Sequence, residues 1–337
     1  MKQGFWRDLF LALLIFIALA FLPTGLRQFF GKASVSYVSL AIAALSLATL
    51  ALSWDILVRT GQLSLAHAAF YGAGAYSTAI LLKLTSAPLW LGTLVAGLVA
   101  VLLALALGWV TLRLHGIYFA IATLSFSEVL KAVVHKLPTA IAGGAAGINV
   151  EPLFRPTFIA GQMERWEIAY LRNERYFYVF LALLALAVIL SLIIQHSRLR
   201  YAFSALRTNE AVARVMGIQP ARYKLLAFVM SSWVVGMLGA VSAHRLGSVN
   251  PDESFSVFVT VLALVTPIFG GLYSTLGPII GALGLSSVEE LLKRSFSDGY
   301  LIGYGIVLVL SVLFMPKGIL GLFTQFRKHL NKEEPSS

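Results

Sequence analysis

Long apolar runs separated by short polar stretches dominate this sequence. Before residue 197, six runs reach the roughly 17–25 apolar residues that cross a bilayer: about 7–23, 35–54, 65–82, 89–112, 117–134 and 176–195. Beyond residue 224, the runs 225–243 and 300–316 are clear, and 257–292 has to supply two more, broken near Pro267 and Gly270-Gly271. The pattern predicts an all-α, polytopic helical membrane protein. It is one transmembrane domain over 1–337, with about ten spans and a range of eight to ten.

One polar island interrupts the pattern. Ser197 to Phe228 holds Arg198, Arg200, Arg207, Arg214, Arg222 and Lys224 against one acid, Glu210. Basic loops between spans stay in the cytoplasm. Tyr201 to Met216 contains no Gly or Pro. Its residues Tyr201, Ala202, Ala205, Leu206, Val212, Ala213 and Met216 fall on one arc, which predicts a single amphipathic helix. Arg207, Glu210 and Arg214 share the opposite face at i,i+3 and i,i+4 spacing, and Gly217 then Pro220 end the helix. Phe203 also falls on the charged face, where an aromatic needs a partner to cover it. The segment 197–224 therefore reads as a cytoplasmic docking element for a soluble protein.

Counting back from this loop places the N-terminus inside with Lys2 and Arg7, and Arg59, Arg113 and His115 also inside. The segment 135–175, with mixed charges at Glu151, Arg155, Glu164, Arg165, Glu167, Arg172, Glu174 and Arg175, falls outside as a periplasmic loop. The tail 317–337, with Lys317, Arg327, Lys328 and Lys332, returns inside, so both termini are cytoplasmic. The two weakest spans are alike: Gly61 to Tyr76 and Gly270 to Gly284 are Gly-rich and interrupted, at matching points of a five-plus-five arrangement. Five being odd, the halves would be inverted. Interrupted segments at matching positions point to a transport pathway. Close helix packing, as at Gly277-x-x-x-Gly281 and Gly299-x-x-x-Gly303, explains the same glycines, and composition leaves both readings open.

Composition narrows the function. The chain is 58% hydrophobic and 12% charged, against about 25% charged in soluble domains, and its mean hydropathy is +0.84. The net charge of +11 therefore orients spans and meets anionic headgroups rather than nucleic acid. The absence of Cys excludes disulfides and thiolate metal sites. The N-terminal run lacks a small-x-small cleavage site and reads as an uncleaved first span.

Catalytic chemistry is missing. The six His (67, 115, 135, 196, 244 and 329) stand at no ligand spacing, and there is no G-x-S-x-G. Gly25 to Lys32 misses a nucleotide-binding P-loop by one residue of spacing, and Ala33 stands where that loop has Ser or Thr. No cofactor or metal is expected. Ionisable residues at membrane depth are costly and so are candidates. Glu128, after Ser125 and Ser127, is either a cavity-facing carboxylate or an interfacial partner of Lys131, and its place near a span end favours the pair. His67 is a pathway residue or a helix-end hydrogen-bonder, the second leading. Asp55 and Arg59 read as a solvated cytoplasmic pair. One buried acid is thin support for an ion-coupled carrier, the runner-up reading.

Several of these blocks resemble a known family. Gly61-Gln62-Leu63-Ser64-Leu65-Ala66-His67-Ala68-Ala69-Phe70 with Gly72-x-Gly74-Ala75-Tyr76 is similar to the signature of branched-chain amino-acid ABC transporter permeases. Gly116 to Phe126, followed by Glu128, resembles the next block. Ala205-Leu206-Arg207, Asn209-Glu210, Ala213, Gly217-Ile218 and Tyr223 to Phe228 resemble the family's cytoplasmic coupling motif. Gly270-Gly271 to Gly277-Pro278-x-x-Gly281-Ala282 resembles its late Gly-rich block. The resemblance covers about 35–320 and fits the LivM-type subunit better than the LivH-type. One departure is Ala142-Gly143-Gly144-Ala145-Ala146-Gly147-Ile148, where the family usually has Thr-Gly-Gly before Gly-Leu. Relatives carry urea, short amides or other amino acids, so a branched-chain solute is the default.

The resemblance implies a permease in the bacterial inner membrane, working by ATP-driven alternating access. It implies a second, homologous permease subunit, two cytoplasmic ATPase subunits and a periplasmic substrate-binding protein. Phe203, Leu206, Arg207, Glu210, Arg214 and Gly217 would then couple to the ATPase. Gln62, Ser64, His67, Gly72, Gly74, Ser125, Glu128, Gly270 and Gly271 would be candidates for the translocation pathway.

Overall fold

The computed structural model describes residues 2–85, 88–111, 113–114, 116–154, 164–296, 299–314 and 318–321. His115, Arg155, Lys317 and the tail beyond residue 321 lie outside the described residues. The described chain is almost wholly helical. Its helices are α1 (Lys2–Ala20), α2 (Leu22–Phe30), α3 (Ser34–Val58), α4 (His67–Leu84), α5 (Leu89–Thr111), α6 (Ile117–Lys136), α7 (Thr139–Ala142), α8 (Arg165–His196), α9 (Leu199–Thr208), α10 (Glu210–Val215), α11 (Pro220–Leu246), α12 (Pro251–Ser254), α13 (Val257–Gly270), α14 (Leu276–Ser295) and α15 (Tyr300–Phe314). A two-residue ribbon pairs β1 (Ile148–Asn149) with β2 (Ser248–Val249), antiparallel, Ile148 opposite Val249.

Among the described residues, six stretches are long and apolar enough to cross a membrane: Gly4–Val58, Trp90–Thr111, Ile117–Lys136, Arg165–His196, Pro220–Leu246 and Pro251–Gly270; Tyr300–Ser311 is a shorter apolar helix. The outward faces support the same reading, because Leu98, Leu102, Trp109, Ile121, Ile302 and Leu313 are all exposed. Such apolar surface is untenable against water and natural against lipid.

The helices α3 and α11 form the centre. Against α3 pack α8, α11, α13 and α14; against α11 pack α3, α4, α5 and α8. Small residues set the spacing. A side chain on Gly74 would strike the carbonyl of Gly236, and one on Gly270 would strike the carbonyl of Gly277. Backbones therefore meet directly at α4–α11 and α13–α14.

Side-chain and backbone contacts define the two ends of the bundle. At one end, Asp8 of α1 meets His196 at the close of α8 (3.0 Å), and α9 and α10 lie beneath. At the other, the β ribbon joins α12, and His135 at the end of α6 meets Asp252 (3.2 Å). There too, α8 opens on a capping box between Glu164 and Glu167. Lys32 beside the Glu164 carboxylate holds it below its usual range.

Local structure departs from expectation in three places. The helix expected over 201–216 is two helices. Asn209 adopts an extended conformation (φ −159°, ψ 109°), and its side chain accepts the N–H groups of Ala211 (3.0 Å) and Val212 (3.2 Å). It is an N-cap inside what reads as a helix interior. Of the expected apolar arc, Ala202, Leu206 and Ala213 are buried, while Tyr201, Val212 and Met216 are exposed. Phe203, expected on the outer face, is only 1% exposed and belongs to the main core. Finally, α8 starts at Arg165, so the late part of the 135–175 segment is helix rather than loop.

Candidate functional site

Two breaks in the helical bundle meet at the end that carries α9 and α10. The first follows α3. The chain turns through Gly61 (φ +83°) and continues without helical structure from Gln62 to Ala66 before α4 begins. Backbone groups that lack helical partners must find others, and neighbouring hydroxyls supply them. The Leu65 N–H donates to Thr123 Oγ1 on α6 (2.9 Å). The Leu65 carbonyl accepts from Thr260 Oγ1 on α13 (3.3 Å) and Ser127 Oγ on α6 (3.4 Å). Ala68 N–H donates to the same Thr260 oxygen (3.1 Å), and Trp54 Nε1 donates to the Ser64 carbonyl (3.0 Å). The segment is discontinuous, and these bonds hold it at Ser64, Leu65 and Ala68.

The second break lies between α13 and α14. Tyr273 sits there with φ +64°, the one non-Gly residue with positive φ among the described residues. That conformation costs a side-chain-bearing residue energy and persists because it is clamped. The Tyr273 N–H donates to Asp55 Oδ1 at 2.6 Å. Asp55 also pairs with Arg59 (2.7 Å), and Arg59 donates to Ser191 Oγ on α8 (2.8 Å). Asp55 is 0% exposed and Arg59 is buried, which corrects the solvated pair expected there. The i,i+4 spacing was visible, but not the α8 and α13–α14 backbone that covers it.

One residue touches both breaks. A Cβ added to Gly61 would lie 3.2 Å from the Arg207 Cα. The Arg207 guanidinium lies 3.8 Å from the centre of the Tyr273 ring, a close cation–π contact. Beside it, Gln62, Leu206, Arg207, Glu210 and Lys224 line a cavity of about 140 Å³. Glu210 accepts from Arg214 (2.7 Å) and Lys224 (2.5 Å). The structure thus brings together Gln62, Leu206, Arg207 and Glu210. Phe203 and Leu206 anchor α9 from inside, and Gly217 (φ +82°) closes α10 with an open flank. What faces outward is Val215, 88% exposed, and Met216, 72% exposed.

The remaining candidates lie elsewhere. His67 is buried, with Nε2 3.0 Å from Ser231 Oγ, a core hydrogen-bonder at a helix start. Ser64 Oγ accepts the Ala66 N–H (3.2 Å). Gly72 packs under the Phe255 ring, Gly74 against Gly236 and Gly270 against Gly277. Gly271 takes φ +128° at the second break. Ser125 faces outward, and Glu128 pairs with Lys131 at 2.8 Å. Sequence reasoning missed Thr123, Ser127, Thr260, Ser191 and Tyr273. The i,i+4 pair Thr123 and Ser127 was a usable signal; Tyr273 carried none. Among the described residues no three metal-ligating side chains come together.

Residues 36–313 match the family described as "Branched-chain amino acid transport system / permease component". The chain is 33% identical over 278 residues to the high-affinity branched-chain amino acid transport system permease protein LivM of Escherichia coli K12, covering 77% of this chain and 64% of that protein. It therefore spans somewhat less than two-thirds of that relative's length. It is 26% identical over 277 residues to the corresponding LivH protein of Salmonella typhimurium, covering 86% of the latter. A ribose import permease protein, RbsC of Escherichia coli K12, is 28% identical over 126 residues, 36% of this chain and 39% of RbsC. No solved structure matches.

Proposed function

This chain belongs to the family of permease components of the branched-chain amino acid transport system, and from that premise we propose that it is one membrane subunit of an ATP-driven importer. The solute is a branched-chain or related amino acid, passed from a periplasmic binding protein to the cytoplasm across the bacterial inner membrane. Similarity to both LivM and LivH supports pairing with a second, homologous permease. Two ATPase subunits dock beneath α9 and α10 and hydrolyse ATP there; this chain only transports.

The observation that carries the proposal is the position of Arg207. A force applied to α9 reaches both interrupted segments through one residue, by its backbone at Gly61 and by its side chain at Tyr273, as a coupling element requires. The exposed Val215 and Met216 supply an apolar contact for the ATPase, and the surrounding arginines attract acidic surface. In the proposed topology α1, α3, α4, α5, α6, α8, α11, α13, α14 and α15 make ten crossings and both termini are cytoplasmic; the two breaks, α3 to α4 and α13 to α14, share the cytoplasmic end, so they are not equivalent points of two inverted halves, which would face opposite sides. Alternating access follows when the ATPases close, shift α9 and rock the helices joined to the breaks.

The test is uptake of labelled leucine by the reconstituted complex. Uptake that requires ATP and the binding protein, and survives an ionophore, is the expected result. Uptake that collapses with the ion gradient while ATP is supplied would show an ion-coupled carrier instead.

A further inference from the structure

A second cavity at the same end, about 190 Å³, lies between the close of α8, the outer side of α9 and the Tyr273 turn. Its polar lining is Arg59, Gln195, Arg200, Ser204, Arg207 and Tyr273, with Phe203 as the apolar wall. Guanidinium, amide and hydroxyl groups predominate, and no carboxylate lines it. Arg59 spends its charge on buried Asp55. Arg200 and Arg207 have no ion pair with a carboxylate among the described residues; Arg207 lies over the Tyr273 ring and within the field of buried Asp55, which Arg59 already pairs.

A chain of hydrogen bonds fixes the one amide. Ser191 Oγ accepts from Arg59 and lies 2.7 Å from Thr275 Oγ1; since the single Thr275 hydroxyl proton goes to Gln195, Ser191 donates to Thr275. Thr275 in turn donates to Gln195 Oε1 (3.2 Å). With its oxygen taken, Gln195 has its NH₂ left to offer as a donor. A recess whose free groups are two guanidiniums, an amide NH₂ and a hydroxyl suits a ligand that only accepts and carries negative charge.

We propose that this cavity is a binding site for a phosphate-type oxyanion. Arg200 and Arg207 are its charged ligands, and Gln195 and Ser204 are its neutral donors. The anion is either a free phosphate or the headgroup phosphate of an anionic lipid. Either would compete with the Tyr273 ring for Arg207, so occupancy biases the contact between α9 and the second break. The proposal concerns the chain's own surface and stands whatever solute is carried.

The experiment uses the purified full chain in detergent and Arg200→Gln, a position outside the contact between Arg207 and the breaks. Inorganic phosphate is titrated against chloride at equal ionic strength, with the thermal unfolding midpoint as readout. In parallel, protein exchanged into phosphatidylcholine with or without phosphatidylglycerol is examined by native mass spectrometry for retained lipid. Expected are a saturable rise in midpoint with phosphate, one retained phosphatidylglycerol per chain, or both; the arm that responds names the source. Arg200→Gln should fold with an unchanged midpoint in chloride and weaken the response at least about tenfold, the worth of one charge-assisted bond. Ser204→Ala provides a second, milder variant should Arg200→Gln fail to fold. No response beyond the chloride control in either arm overturns the proposal, as does an equal response in wild type and variants. So does a silent free chain whose Arg200→Gln form loses only ATPase co-purification, which would assign the cavity to a partner's carboxylate.

Discussion

The Arg207 guanidinium rests 3.8 Å from the centre of the Tyr273 ring, while the Arg207 backbone presses on Gly61. Arg207→Ala is expected to uncouple the complex: hydrolysis persists and uptake falls. A cation–π contact is worth about 0.5–2 kcal/mol, so folding should survive. Tyr273→Phe should keep coupling, because the ring face remains, and Tyr273→Leu should lose it. The ratio of solute imported to ATP hydrolysed measures both. A normal ratio in Arg207→Ala would place coupling elsewhere.

The buried pair Asp55 and Arg59 predicts a stability effect. Arg59→Gln leaves the Asp55 carboxylate without its partner at 0% exposure, and such a break costs about 3–5 kcal/mol. Asp55→Asn also weakens the clamp on the Tyr273 N–H. Both variants should melt earlier in detergent. The double replacement Asp55→Leu with Arg59→Leu should recover part of the loss, since no lone charge remains.

Phe203 and Val215 should behave in opposite ways. Phe203→Ala opens a cavity in the core, at a cost of about 3–5 kcal/mol, and should lower the unfolding midpoint. Val215→Asp touches solvent and should leave the midpoint unchanged while reducing ATPase co-purification. If Val215→Asp retains the ATPase fully, the docking face lies elsewhere on the loop.

The hydroxyl clamp on Leu65 gives a further prediction. Thr260→Val removes the acceptor for Ala68 N–H and a donor to the Leu65 carbonyl. An unpaired buried backbone group costs about 1–3 kcal/mol, and the loss should appear as faster amide exchange at residues 65–68. Unchanged exchange would show that the segment is held by packing alone.

Because the chain has no Cys, Val215→Cys provides a single reporter of sidedness. It should react with a membrane-impermeant maleimide only from the cytoplasmic face of oriented vesicles. Labelling from outside would reverse the proposed topology.

Much of the fold was legible because lipid imposes a simple rule: apolar runs of bilayer length are helices. The break before His67 and the one at Gly271 were legible from glycine, and the basic loop from its charge. Other features were not. Asn209 looks helical by pattern, yet its side chain captures the next two amides. Phe203 is buried beside Ala202 and Leu206 in the core that α9 meets, a neighbourhood the pattern of α9 alone does not reveal. For Gly72, Gly74 and Gly270 the interrupted pattern left pathway and packing both open, and the structure shows the close contacts each makes without deciding a pathway role. Asp55 and Arg59 show the reverse error, since polarity suggested water where neighbouring backbone had closed over them.

Leu65 is tethered to α6 by its N–H and to both α13 and α6 through its carbonyl. Its peptide groups therefore act as a gauge of the separation between those two helices. If α6 and α13 move apart by more than the slack in two hydrogen bonds, one tether must release, and the stretch from Gln62 to Ala66 must either follow one helix or fold into a new turn. Opening of the bundle is then stepwise rather than graded, with the threshold written into the length of a threonine side chain.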